Sequence, residues 1–273
     1  AARDAQVTAI FLAATDRSAP FALQRWQRAM QSQQAYLSEY PQGVRADEMW
    51  YRLGEAHLQH AGLQYKADLA AFLSAGAEEQ DAPVPVQDYA DALDAYERQL
   101  QQFPGSPRVP EAHFQTGFLL AEMGSPEASS DHLENYLLLT SADDLRRGSA
   151  ALRIGDNHLQ MGQRENACDA FARAADAADR ESSDLGLFKL GWCHYDLERP
   201  EEARQALLRL LQRSTTADQA SHARDLQPEA LELMSLAFAD DHEVFEAAAV
   251  MQSWGAPEWQ FVVKRRMAQL FAS

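Results

Sequence analysis

Small and apolar residues return along this chain at spacings of four and three, the rhythm of one face of a helix. Ala167, Phe171 and Ala174 keep it, as do Ala203, Leu207 and Leu210 and, more weakly, Ser129, Leu133 and Tyr136. Another helix at 88–96 runs to a stop at Phe103-Pro104-Gly105-Ser106-Pro107, and one carrying Ala29 and Tyr36 stops at Tyr40-Pro41-Gln42-Gly43. Proline and glycine in these places cannot continue a helix. The pattern therefore predicts an all-α chain of helices joined by short breaks.

A second set of helices carries a glycine in mid-course: Tyr51-Arg52-Leu53-Gly54, Phe114-Gln115-Thr116-Gly117, Leu152-Arg153-Ile154-Gly155 and Phe188-Lys189-Leu190-Gly191. Such a glycine costs about 1 kcal/mol against alanine, so its recurrence calls for close approach of a neighbouring helix. Each of the three small-large-small runs begins 12 residues after one of these glycines. The glycines are 38 residues apart from Gly117 to Gly155 and 36 from Gly155 to Gly191, but 63 from Gly54 to Gly117.

Segment 47–58, with its Tyr51-Arg52-Leu53-Gly54, resembles the first helix of a tetratricopeptide (TPR) repeat, and the runs at 167–174 and 203–210 resemble the second. The observed steps lie near that repeat's period of roughly 34 residues. The resemblance implies a right-handed TPR superhelix of antiparallel helix pairs, about five and a half of them. Residues 1–273 are read as a single solenoid domain, capped by a short leading helix at 5–14 and an amphipathic one at 259–271. A degenerate last pair is expected at 229–240 and 242–254, with Ser235 in the glycine place. The extra length after Gly54 is assigned to a lengthened helix, apolar at Tyr65, Leu69, Phe72 and Leu73, and an exposed loop at 76–86, together spanning about 61–87.

Charge narrows the partners. Asp and Glu number 41 against 24 Lys and Arg, a net charge of -17 with no basic stripe, which argues against nucleic acid and favours basic partners. Arginine outnumbers lysine 21 to 3, which reads as a trait of base composition. No apolar run reaches membrane-spanning length. Two cysteines, Cys168 and Cys193, fall on successive helices; they are read as buried free thiols, a disulfide being the alternative.

Candidate chemistry is sparse. His57, His158 and His194 each lie three residues after a repeat glycine and are read as inter-helix packing rather than as ligands. His57 and His60 share a helix face near Glu55, without a third converging ligand for zinc. No phosphate loop, H-E-x-x-H or G-x-S-x-G pattern occurs. The expectation is no catalytic residue, no metal and no cofactor.

In a TPR stack the first helices line the inner groove. The resemblance places Tyr51, Phe114, Phe118, Phe188, Trp192 and Tyr195 there as aromatic anchors for a protein or peptide partner, with Arg52, Arg153 and Lys189 as positive points beside them. Glu55 and Asp156 stand where chaperone-tail-binding TPR proteins carry asparagine, against a carboxylate clamp. The breaks at 40–43 and 103–107 with the Y-R-L-G restart resemble bacterial cell-envelope TPR proteins, implying a periplasmic or envelope-associated scaffold or adaptor. The alternatives are a regulatory or carrier module of a larger enzyme and a homo-oligomeric structural subunit in which Lys264, Arg265 and Arg266 dock on an acidic face.

Overall fold

The computed structural model describes residues 19–74, 83–214, 222–240, 244–254 and 259–272. Among these the chain is all-α, with thirteen helices in sequential antiparallel pairs. It divides into two compact units, Ala1–Met123 and Gly124–Ser273.

The first unit holds α1 (Ala19–Glu39), α2 (Ala46–Ser74), α3 (Ala90–Gln102) and α4 (Val109–Glu122), each packed on the next. Helix α2 starts where the turn at Gly43 closes on the carbonyl of Tyr40. Asp47 and Glu48 occupy its first turn, where the helix dipole favours negative charge. It then continues for 29 residues without a break. The expected leading helix at 5–14 and the stretch 76–82 of the expected loop lie outside the described residues; 83–89 form no helix, with Val84 and Val86 exposed. Two apolar clusters hold this unit, one around Leu37, Leu53 and Ala95, the other around Tyr51, Tyr96 and Leu119.

The second unit holds α5 (Pro126–Leu139), α6 (Arg147–Gln160), α7 (Arg164–Ala175), α8 (Arg180–Asp196), α9 (Pro200–Ser214), the single turn α10 (His222–Asp225), α11 (Gln227–Ala239), α12 (Val244–Ser253) and α13 (Gln260–Leu270). Helices α5, α9 and α11 carry proline in the first turn, where its missing N–H would lack a partner anyway. Asp179 caps α8 by accepting from the Ser182 amide at 2.9 Å. One continuous core runs from Ala151 to Met267.

The glycine frame explains the pairing. A Cβ on Gly155 would run into the Phe171 ring, one on Gly191 would lie 2.9 Å from Leu207, and one on Gly54 2.7 Å from Tyr96. In each case the large residue of a second helix sits directly on the glycine of its first. Gly186 makes a different approach, to the backbone of α7: its Cβ would lie 2.5 Å from the Ala175 nitrogen.

The arginines carry a structural load that composition did not reveal. Arg173 forks onto Glu134, Arg199 onto Glu165, and Arg209 and Arg266 reach Asp176 and Glu232, at separations of 39, 34, 33 and 34 residues. Each tie spans one repeat. Two further cations serve buried partners: half-buried Arg213 donates to the fully buried Asp184 at 2.9 Å, and buried Arg204 donates to the Ala237 carbonyl at 2.6 Å and stacks 4.9 Å from the Phe238 ring.

Candidate functional site

The second unit presents a groove built around one indole. Leu185, Phe188, Lys189, Trp192 and Asp196 follow one another along one side of α8, and with Leu159 and Phe171 opposite they enclose an apolar hollow of about 400 Å³. Trp192 stands 46% exposed on its rim. A second hollow, of about 600 Å³, adjoins the first at Trp192 and Asp196 and is lined further by Tyr195, Glu198, Pro200 and Asp240. The Trp192 and Tyr195 rings meet edge to face, 6.1 Å apart at 81°, an arrangement aromatic quadrupoles favour. Burial and the hydrogen bond to Asp240 push the Tyr195 hydroxyl pKa up.

The turn behind this hollow is unusual in one residue. After α6, Gly162 takes a left-handed φ of 72°, with Gly162 N–H donating to Leu159 O and Gln163 N–H to His158 O. After α8, the same two bonds run from Glu198 to Tyr195 and from Arg199 to His194, but the left-handed residue, at φ 58°, is a glutamate. This helix-ending motif normally takes glycine, and a side chain there costs about 1–2 kcal/mol.

The nine expected partner-binding residues fall into two sets. In the first unit, Tyr51 is buried against Tyr96, with ring centroids 5.5 Å apart. Arg52 is exposed and paired with Glu48 at 2.6 Å. Phe114 and Phe118 are half-buried and stacked on one another at 4.7 Å. In the second unit, Phe188, Lys189 and Trp192 share the apolar hollow and Tyr195 lines the next one; Arg153 is half-buried and lines neither. Lys189 is held by Asp156 at 2.6 Å and lies 5.4 Å from the Phe171 ring centroid. Leu159, four residues after Gly155, holds a groove position of the repeat; sequence reasoning missed Leu185, Glu198 and Asp240, and the offset of Leu185 from Phe188 and Trp192 was the available signal.

Cys168 and Cys193 are joined in a disulfide, with Cα atoms 5.5 Å apart. This corrects the reading as free thiols: antiparallel α7 and α8 present the two residues to each other across their contact. The bond fixes the groove's α8 wall to α7 one residue from Trp192.

The histidines are engaged in packing. Desolvation holds His57 and His194 below the usual imidazole pKa, with His57 Nδ1 3.5 Å from Asp91, and His158 Nδ1 lies 2.8 Å from Gln163 Oε1. Among the described residues no three His, Cys, Asp or Glu side chains are grouped to hold a metal ion. Likewise no described helix is long and apolar enough to cross a membrane.

Comparison with known proteins agrees with this geometry. Residues 152–218 match the tetratricopeptide repeat family model. This segment carries tetratricopeptide repeats. Its fold is similar to that of BtubC (BKLC) from P. vanneervenii, at a TM-score of 0.55 and 13% identity over 94% of this chain and 92% of that one. Crystal structures of MamA (TM-score 0.46, 16% identity, 68% of this chain and 92% of that) and of the apo form of RapI (0.44, 11%, 86% and 75%) are more distant likenesses. No curated protein matches the sequence significantly. TPR repeats generally mediate protein–protein interaction, and the scaffold they form is usually non-catalytic.

Proposed function

We propose that this protein is a non-catalytic scaffold or adaptor that holds a peptide segment of a protein partner in the groove beside Trp192. The observation that carries the reading is an exposed indole between two hollows, on a helix fixed from behind by a disulfide. Large rings at the edge of apolar pockets are characteristic interface anchors. Tyr51, Phe114 and Phe118 then serve the interior of their own unit, and Arg52 and Arg153 are peripheral to binding. Residues 1–273 act as one solenoid domain. The disulfide and the envelope-type break pattern support a place in a bacterial multiprotein assembly of the periplasm or cell envelope, where thiols are oxidised.

Affinity capture from native extract tests the function. Wild-type protein is expected to retain a partner that folded Trp192→Ala does not; equal retention by both contradicts the groove. Thiol alkylation in intact cells tests the compartment. Cys168 and Cys193 are expected to resist alkylation until reduced, and immediate labelling would count against an oxidising location.

A further inference from the structure

We propose that the hollow on the Tyr195 side of Trp192 receives a cationic side chain, arginine or lysine, of the same peptide whose apolar side chain fills the hollow on the Phe188 side. This rests on the groove reading above and specifies its ligand.

The two hollows meet at Trp192 and Asp196 and differ in chemistry. The Phe188 side is walled by Leu159, Phe171, Leu185 and Phe188; its one cation, Lys189, is already neutralised by Asp156, and its one carboxylate, Asp196, is shared with the other hollow. The Tyr195 side offers two aromatic rings and three carboxylates. Of these, Asp196 is matched by Arg164 at 2.8 Å and Asp240 interacts with the Tyr195 hydroxyl. The Glu198 carboxylate, unlike its backbone N–H, has no hydrogen-bond or ion-pair partner among the described residues. An anionic ligand would meet uncompensated negative charge there. A guanidinium or ammonium would lie against ring faces and near carboxylates, the arrangement in which cation–π attraction and ion pairing add.

Glu198 itself points the same way. The turn after α6 closes with Gly162 in the left-handed place and the same backbone bonds, so the glutamate is not required to end α8. It holds a carboxylate in the hollow at the expense of local backbone comfort. The net charge of -17 adds a long-range preference for basic segments.

The test is selection from a phage-displayed library of random dodecapeptides against the full chain, its Trp192→Ala variant and two charge variants, Glu198→Gly and Glu198→Gln. Wild type is expected to enrich peptides that combine an arginine or lysine with a nearby large apolar residue and that Trp192→Ala does not retain. A synthetic peptide of the winning sequence should bind Glu198→Gln and Glu198→Gly about 3- to 10-fold more weakly than wild type, and its arginine-to-glutamine version should not distinguish the three proteins. The melting temperature of Glu198→Gly should equal or exceed that of wild type. Glu198→Gln keeps the strained backbone and removes only the charge, so loss of binding in both variants is not a folding effect. Peptides that need Trp192 but carry no cation, or bind the Glu198 variants unchanged, overturn the cation receptor and leave the groove standing. Enrichment indifferent to Trp192→Ala, or no enrichment, overturns the groove and the receptor together.

Discussion

Tyr51 and Phe188 occupy the same place in their repeats, three residues before a helix glycine, and their surroundings differ. Above Gly54 the second helix brings Tyr96, whose ring meets Tyr51, and Ala112 and Leu119 of α4 close over the pair. Above Gly191 it brings Leu207, which fills the space against the glycine, and Phe188 packs at the margin of that core while lining the apolar hollow. Phe188 is left half-buried, and Trp192, one turn on, faces solvent. The repeat frame fixes the direction in which a side chain leaves the helix. Its exposure is set by what the neighbouring helices bring to that spot.

The sharpest way to break this comparison is to truncate both faces. Tyr51→Ala should cost about 3–5 kcal/mol, as loss of a buried aromatic does, whereas Trp192→Ala should stay within about 1 kcal/mol of wild type. Chemical denaturation of the two variants measures both; equal losses would show that the indole belongs to the core. Replacing Cys168 and Cys193 together by alanine comes next. Closing a loop over a sequence separation of 25 should contribute about 3 kcal/mol, seen as a lower denaturation midpoint that wild type reproduces only when reduced. Gly155→Leu, which overpacks the Phe171 contact, should cost about 1–3 kcal/mol, and Gly186→Ala a similar amount because the atom in its way is backbone.

The smallest effect expected is from pH. Burial holds His57, His132 and His194 below their ordinary value of 6.5. In the window between the folded and unfolded values the unfolded chain binds more protons. The contribution of these groups is therefore complete above pH 6.5 and lost as the pH falls through their folded values. A melting temperature that rose on acidification through this window would contradict it.

Much of the fold was legible because its determinant is local. A glycine followed 12 and 16 residues later by a small and a large residue marks two helices in contact, and Gly155 and Gly191 each receive the residue that spacing names, Phe171 and Leu207; Gly54 receives Tyr96 instead, from beyond the lengthened helix. The close approach at Gly186 was not legible, since it faces the helix before it rather than its own pair. The disulfide and the arginine ties depend on which faces meet across 25 to 39 residues, and residue spacing alone does not specify a facing side chain. Of the expected aromatic stripe, Phe188, Trp192 and Tyr195 border the two hollows, whereas Tyr51 packs on Tyr96 of α3, a partner that the repeat's groove positions do not specify. Glu198 carried no pattern at all, because a left-handed residue that is not glycine looks like any other loop residue.

The central claim is that Trp192 contributes to recognition and little to stability. Isothermal titration of the captured partner, or of a selected peptide, into wild type and Trp192→Ala, with a denaturation curve for each protein, tests both halves at once. The account predicts at least tenfold weaker binding, about 1.4 kcal/mol, with the stability of the two proteins nearly the same. Unchanged binding, or a binding loss that tracks a collapse in stability, would contradict it.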